Sequence, residues 1–594
     1  MQRFLVSRRL ALVGAIALGA FALIGGLAAG GGTGTQAAKA ADYNAPLCVA
    51  RPTLCAEAND PWSWNNQTYV SGHDEPSLLF YSNKPGSGNS NQYQLTLPTD
   101  PPTAPAQDGS GGTWNFMLHP AFWFGMALCD DQSAPNPGVN CPADSDKNIK
   151  TSTDPSSPNY IGKTPGTAFM EMQFYPPGWG GVGTGVSCGP NNHQWCAAMT
   201  IDSFGQNSNT GVVNNNDCLN DAGLEYVNFA LITKSGNSQA PADPLRQVFP
   251  DSFATGPDTL EMNNGDEMTV SIHDTAAGVQ VVINDLTTGE TGSMTASIAN
   301  GFGHPLYQPS ASSCSDEAYA FHPMYSTSSP DTRVLWAAHS YNVAYSDEIG
   351  HFEYCNAPIS RQGGHCTVQD PGEVISPATP FGDDTSCFNL PVIDSNNNQA
   401  NPSFNGCLGF SIGGDYDFDG PEYQNGNWPG TTGAAATKVS TPIVFSSPLF
   451  KGGNPTGPGP FNNDYQQVAF EADLPRIEGS DFSSTNNCQR HLTNPADPSP
   501  GAGCVNPPNG ASFYPIYTTT TAANGSCVWQ EGGGNIPGTT NNFGGVSGVE
   551  YGGLLVSNYP VAGPSVSQRL NNFHNTLSNN PCPAGKKGGP PGPH

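Results

Sequence analysis

Along most of this chain apolar and polar positions alternate in short runs, and each run is cut by Gly, Pro, Asn or Asp. A period of two punctuated by turn residues predicts an all-β sandwich or barrel, and helical periodicity is nearly absent. The clearest predicted strands cover 168–175, 196–204, 226–233, 267–273, 280–286, 334–345 and 349–354. In 267–273, Met268, Val270 and Ile272 share one face, and Glu267, Thr269, Ser271 and His273 share the other. That is a strand with one buried and one wet side. The segment TTGET at 287–291 reads as the turn of a hairpin.

A composition change near 371–384 predicts a boundary between a β-sandwich domain at 41–370 and a second β-rich, loop-heavy module at 371–582. The second module has fewer predicted strands, at 442–445, 466–472, 512–518 and 527–530, separated by Asn/Gly/Pro loops. The closing AGKKGGPPGPH puts residues 583–594 in a disordered tail. FHPMYSTS from Phe321 and FYPIYTTT from Phe513 match in register at Phe, Pro, Tyr and Thr, with Trp336 and Trp529 following at nearly equal distance. A recurring strand–loop–strand unit, a duplicated domain and chance in a Thr-rich composition all give this echo.

Residues 1–40 begin with Arg3, Arg8 and Arg9, continue through an apolar run at 10–29 and end Ala38-Lys39-Ala40. This order predicts a secretory signal peptide cleaved after Ala40, and SRRLAL at 7–12 is a weak twin-arginine signal. Left uncleaved, the run would serve as a membrane anchor, so membrane contact is expected only in that case. All 16 cysteines follow residue 40, and an even count in an exported chain reads as disulfides. The close pairs Cys48/Cys55, Cys129/Cys141, Cys188/Cys196 and Cys355/Cys366 are the natural local clips. No C-x-x-C occurs, which argues against a thioredoxin-like or zinc-ribbon site.

Charge narrows the function. With 49 acidic against 20 basic residues and a net charge of −29, nothing here neutralises a run of phosphates, and a nucleic-acid partner is excluded. The same acid excess suits an acidic extracellular setting.

The segment TAFMEMQFYPPGW, 167–179, is the sharpest candidate for chemistry. As a strand it sends Met170, Met172 and Phe174 toward a core, and Phe169, Glu171, Gln173 and Tyr175 to the other face. An acid, an amide and rings on one open face, with Trp179 beyond, would line a groove for a sugar or a peptide. An ordinary solvent-facing strand side gives the same pattern.

Over roughly residues 60–357 the strand pattern resembles the concanavalin A-like lectin/glucanase superfamily, which implies a jelly-roll sandwich that binds or cleaves glycans on its concave face. The retaining glucanases of that superfamily carry E-x-D-x-x-E or E-x-D-x-E on one strand. Glu171 matches the first acid, Gln173 replaces the second, and neither Tyr175 nor Pro176 is an acid. A second resemblance, within the same fold, is to the glutamic peptidases, carried by MNNGDEMTVSIHDTAAGVQVVINDLTTG at 262–289. That family activates water with a Gln and a Glu at acid pH, which implies Gln173 paired with Glu317 or Glu353; its A-E-W segment has only SDEAY at 315–319 as a counterpart. The overall pattern is also similar to that of exported bacterial proteins.

DEIGHFEY at 347–354 sets Asp347, Ile349, His351 and Glu353 on one side, with Trp336 and His339 on the strand before it. Were this strand to lie beside 168–175, Glu171 and Glu353 would form a carboxylate pair for general acid–base work, with His339, His351 and Trp336 contacting substrate. No G-x-S-x-G is present, which argues against a serine hydrolase. Finally, GDYDFDGPEY offers Asp415, Asp417, Asp419 and Glu422 in the manner of an opening calcium loop, although position twelve is Gly426 and Glu422 has to stand in; a solvated acidic turn is the plainer reading of the same residues. The expectation is a secreted protein that binds or hydrolyses extracellular glycan, with a non-catalytic surface protein and an acid peptidase as alternatives.

Overall fold

The structure, a computed structural model, describes residues 63–65, 68–70, 77–81, 89–97, 122–133, 136–141, 156–158, 165–175, 188, 194–205, 212–222, 225–248, 251–323, 336–340, 350–352, 392–393, 399–400, 416–418, 444–451, 461–464, 467–473, 517–522, 525–531, 553–555, 572–577 and 581–582. These residues are mostly β-strand, as the alternation predicts. The predicted strands at 168–175, 196–204 and 267–273 appear as Thr167–Tyr175, Cys196–Phe204 and Glu267–Thr275. The turn at 287–291 closes the hairpin Gly278–Asp285 to Thr291–Thr295, with Gly289 at φ 81° where a side chain would be strained.

Two large antiparallel sheets dominate. One runs through Gly553–Leu555, Asn572–Leu577, Gln467–Asp473, Ser77–Tyr81, Trp336–Ser340, Phe122–Cys129, Thr167–Tyr175, Cys196–Phe204 and Glu225–Leu231, with His322–Pro323 beside Phe122–Cys129. The other runs through Thr291–Thr295, Gly278–Asp285, Glu267–Thr275, Ser90–Thr96, Val444–Phe445, Cys527–Glu531 and Tyr517–Thr521, with Leu449–Lys451 and Phe461–Asp464 alongside. Their apolar faces meet. Phe124 of the first sheet packs on Tyr93 and Phe445 of the second at ring distances of 4.2 and 5.4 Å, and Phe80 meets Trp529 edge-on at 5.8 Å. Met170, Met172, Phe174, Met268, Val270 and Ile272 are all buried in this layer. Burial of apolar area at about 25 cal/mol per Å² drives the pairing, since each sheet otherwise leaves one apolar face in water.

The boundary expected near 371 does not divide the sheets. Val444–Phe445 hydrogen-bonds to Ser90–Thr96, and Gln467–Asp473 to Ser77–Tyr81, so strands from both sides of 371 complete the same two layers. The physical reason is that Ser77–Tyr81 and Ser90–Thr96 need partners on both edges, and hydrogen bonding is indifferent to sequence distance. The echoed segments also part company: His322–Pro323 lies in the first sheet and Tyr517–Thr521 in the second.

The eight described cysteines form Cys129–Cys141, Cys188–Cys196, Cys218–Cys314 and Cys527–Cys582. Two of these are the close pairs expected from spacing; Cys48/Cys55 and Cys355/Cys366 lie outside the described residues. Among the described residues, no helix is long and apolar enough to cross a membrane.

Candidate functional site

Thr167–Tyr175 is held between Phe122–Cys129 and Cys196–Phe204. Its register sets Trp123 opposite Gln173 and Gly125 opposite Glu171 on one side, with Ala198 and Thr200 opposite the same two residues on the other. Met170, Met172 and Phe174 face the second sheet, so by alternation the acid and the amide lie on the face turned away from it.

On that face three side chains form a chain of hydrogen bonds. The Tyr175 hydroxyl donates to Gln173 Oε1, and Gln173 Nε2 donates to Glu171 Oε2 at 2.5 Å. By occupying Oε1, the phenol fixes which end of the amide points at the carboxylate. Burial, followed by the nearby charges of Glu171 and Asp202, holds the Tyr175 phenol well above its ordinary pKa, so it stays a donor.

The expectation of an open, wet face is corrected here. Glu171 and Gln173 are each only 6% exposed, and Phe169 and Tyr175 only 2%. At one end Tyr175 joins Phe229, Leu231, Phe253 and the Cys188–Cys196 disulfide in an apolar cluster, Phe229 and Phe253 standing 5.0 Å apart. At the other, Phe169 meets Trp123 edge-on at 5.5 Å, and its ring lies over Gly125, where a Cβ would come within 2.6 Å of it. Aromatic rings that cover one another gain more than rings left in water. The acid–amide pair is thus covered by rings at both ends.

The other expected residues do not converge on it. Gly350–Phe352 pairs in parallel with Tyr416–Phe418, not with Thr167–Tyr175, so His351 is opposite Asp417 and the expected strand neighbourhood is absent. Glu353 and Trp179 lie outside the described residues. His339 is brought into line, opposite Trp123 and thus two strands across from Gln173. Trp336 pairs with Phe80, one position out of phase with Glu171. Glu317, the implied peptidase partner, instead meets His304 Nε2 at 3.2 Å. His304 in turn binds Asp130, which adjoins Cys129, the residue opposite Thr167. Gln173 is six residues further along that strand, about 20 Å away at strand rise. Of the expected calcium residues, Asp417 lies within the strand Tyr416–Phe418 rather than in a loop; Asp415, Asp419 and Glu422 lie outside the described residues.

Trp123, Gly125, Thr200, Asp202 and Phe229 complete the face, and none was singled out from sequence. FWFGMALC at Phe122–Cys129 is a continuous apolar run, the signature of a strand buried on both sides, and its one glycine was the available signal.

A second polar cluster lies at the Thr167 end. Asp130 and His304 are fully buried and 2.7 Å apart, and Asp130 also accepts from Ser133 Oγ and Ser203 Oγ, both at 2.7 Å, and from the Gln132 amide. Burial opposes charge on both, but His304 lowers the Asp130 carboxyl, and Asp130 with Glu317 raises His304 to about 9. Asp130, Asp131 and His304 lie close enough to surround a cation, yet the Asp130 oxygens are already occupied by donors. The cluster is a hydrogen-bonded ion pair.

Among solved structures, the chain is similar to scytalido-glutamic peptidase with a transition state analog inhibitor, at 11% identity and a TM-score of 0.14 over 46% of this chain and 64% of that one. It is similar to the same peptidase with a peptide-based transition state analog, at 11% identity and 0.14, over 45% and 63%. A third is SCP-B, a member of the eqolisin family of peptidases, in a complex with the tripeptide Ala-Ile-His, at 9% identity and 0.13, over 45% and 62%. The chain thus spans less than two thirds of each, and at these scores the likeness is too slight to assign an activity. No family model matches the chain and no curated protein is similar to it.

Proposed function

We propose that this protein is an acid-acting hydrolase of peptide bonds that works outside the cell, with Glu171 and Gln173 as its acid–amide pair. One observation carries the reading: a carboxylate and an amide in direct contact, the amide oriented by Tyr175, on the sheet face turned away from the second sheet. In this chemistry Glu171 takes a proton from water as the water oxygen bonds to the peptide carbonyl carbon. Gln173 Nε2 donates to the resulting oxyanion, and the proton held by Glu171 passes to the amine as the C–N bond breaks. Glu171 and Gln173 are each only 6% exposed, so this reading requires the surrounding rings to part before a peptide and a water reach them. The four disulfides and the charged–apolar leader pattern support an extracellular setting.

A second reading, hydrolysis of extracellular glycan, has one observation in its favour. Asp202 lies one cross-strand pair beyond Thr200, the partner of Glu171, and such diagonal neighbours stand about 7–8 Å apart. Inverting glycosidases hold their carboxyls about 6.5–9.5 Å apart.

The test is cleavage of casein and of reduced, unstructured peptides at about pH 3–4, beside release of reducing ends from polysaccharides. Peptide cleavage that vanishes in Glu171→Gln and falls about 10²–10³-fold in Gln173→Ala, both with wild-type melting, is the expected result. Reducing ends lost in Asp202→Asn would favour the glycan reading. Silence in both assays from folded protein leaves a non-catalytic extracellular protein.

A further inference from the structure

Two buried carboxylate oxygens, Asp243 Oδ2 and Asp285 Oδ2, have no hydrogen-bond donor among the described residues. Their surroundings share a feature: each faces a second aspartate. Asp243 is 1% exposed, and its other oxygen accepts from the Tyr226 hydroxyl at 2.7 Å and the Leu245 amide at 2.9 Å. Its Oδ2 lies against Gly303, so close that a Cβ there would stand 2.3 Å away. In the paired strands Gly303–Pro305 and Asp316–Ala318, Asp316 stands opposite Pro305, two positions from Gly303; its carboxyl is in hydrogen-bond contact with that of Asp243, and Arg246, whose amide bonds to Asp243 O, reaches Asp316 Oδ2 at 2.6 Å. Asp285 repeats the arrangement in the other sheet. It is 1% exposed, its Oδ1 accepts from the amides of Thr287 and Thr288, and it stands opposite Met268. Asp266, two residues before Met268 and 3% exposed, is therefore its diagonal neighbour, held by the amide and side chain of Asn263.

An acceptor facing an acceptor lacks a proton, not a partner. Two ionised carboxylates in such a place repel at low dielectric, whereas one shared proton turns the repulsion into a short, charge-assisted hydrogen bond. We propose that Asp243 with Asp316, and Asp266 with Asp285, are proton-sharing carboxyl pairs that clasp the Gly303–Ala318 hairpin and the base of the Glu267–Asp285 hairpin in acid and loosen both as the proton is lost. The groups facing the first pair are Tyr226 from its strand and Arg246 from the adjoining turn. Those facing the second are the amides of residues 263, 287 and 288 and the Asn263 side chain, while Glu290 on the same hairpin is engaged by Lys234 at 2.9 Å. The direction of titration agrees. Burial, then the neighbouring Asp316, pushes the Asp243 carboxyl up to about 7, and burial with Asp285 pushes Asp266 above the usual range.

The sign follows from linkage. A carboxyl raised in the folded state binds its proton more tightly there than in the unfolded chain, so its stabilisation is complete below the unfolded value near 3.9 and is lost as pH rises toward about 7. The full chain, melted across this range, should lose several degrees between about pH 4 and pH 7. Asp243→Asn and Asp285→Asn replace the shared proton with a permanent N–H while keeping the oxygen that accepts from Tyr226 or from residues 287 and 288. Each should raise the melting temperature at neutral pH and flatten the slope, and the double variant should flatten it most. Asp251→Asn removes an equal charge from an exposed position and should leave the slope unchanged. Infrared difference spectra of wild type near pH 6 should show a protonated-carboxyl stretch that the double variant lacks. A slope indifferent to both pair substitutions, a slope flattened equally by Asp251→Asn, or stabilisation at neutral pH by calcium and its reversal by EDTA would each overturn the proposal.

Discussion

His304 shows how much a single side chain carries in this fold. Fully buried, it is wedged between Asp130 and Glu317, stacked on Tyr319 at 4.0 Å. His304→Ala would strand the Asp130 carboxylate among Ser133 and Ser203, and removing one member of a buried ion pair costs about 3–5 kcal/mol; the urea midpoint at pH 6 should fall accordingly. The pair also sets a pH window. The contribution of His304 is complete below its ordinary value near 6.5 and is lost as pH rises through about 9. That of Asp130, whose carboxyl is lowered, is present above about 3.9 and lost as pH falls through its lowered value. His304→Gln should therefore remove the decline in urea midpoint toward about pH 9 and leave in place the loss between about pH 4 and pH 7 that the carboxyl pairs set. At this scale Glu171, Gln173 and Tyr175 were legible in sequence because strand alternation places them on one face. Their burial was not, because Phe253 and Cys188, which help cover Tyr175, are 78 and 13 residues away.

Elements were legible in proportion to how local their signals are. Cys196–Phe204 matches its expected bounds, and the hairpin at 287–291 needed only its turn residues. Phe122–Cys129 and Ser90–Thr96 escaped, since the first is apolar on both faces and the second, SNQYQLT, buries polar residues. Disulfides divide in the same way. Cys188–Cys196, separated by 8 residues, follows from proximity, whereas Cys218–Cys314, separated by 96, ties helix Asn216–Ala222 to the loop before Asp316–Ala318 and needs the fold to be known. Loop-closure entropy makes the longer link the stronger brace, worth about 4.7 kcal/mol against about 2.5 for the shorter. Removing Cys218–Cys314 as a Ser/Ser double variant should lower the melting temperature about twice as far as removing Cys188–Cys196, which calorimetry on both variants checks.

At the scale of the molecule, both layers are stitched from distant parts of the chain. Ser77–Tyr81 pairs with Gln467–Asp473 and Trp336–Ser340, and Ser90–Thr96 with Glu267–Thr275 and Val444–Phe445. A fragment of residues 41–370 would leave edges of both sheets unpaired and Phe80 without Trp529. Expressed alone it should aggregate or melt without a cooperative transition, while the full chain melts cooperatively; a sharp, reversible melt of the fragment would show that the first part is self-sufficient.

Composition, alternation and turn residues are local quantities, and by themselves they determined the all-β class, the strand periods, the Cys129–Cys141 and Cys188–Cys196 clips and the shared face of Glu171 and Gln173. Only the tertiary structure decided which strands neighbour one another, that rings close over the acid–amide pair, and that the Asp243 and Asp316 carboxyls, like those of Asp266 and Asp285, come within hydrogen-bond reach. Those outcomes depend on backbone hydrogen bonds and apolar contacts between segments that range from strands of one hairpin to parts of the chain hundreds of residues apart, and no local pattern records which of many compatible edges a strand will choose.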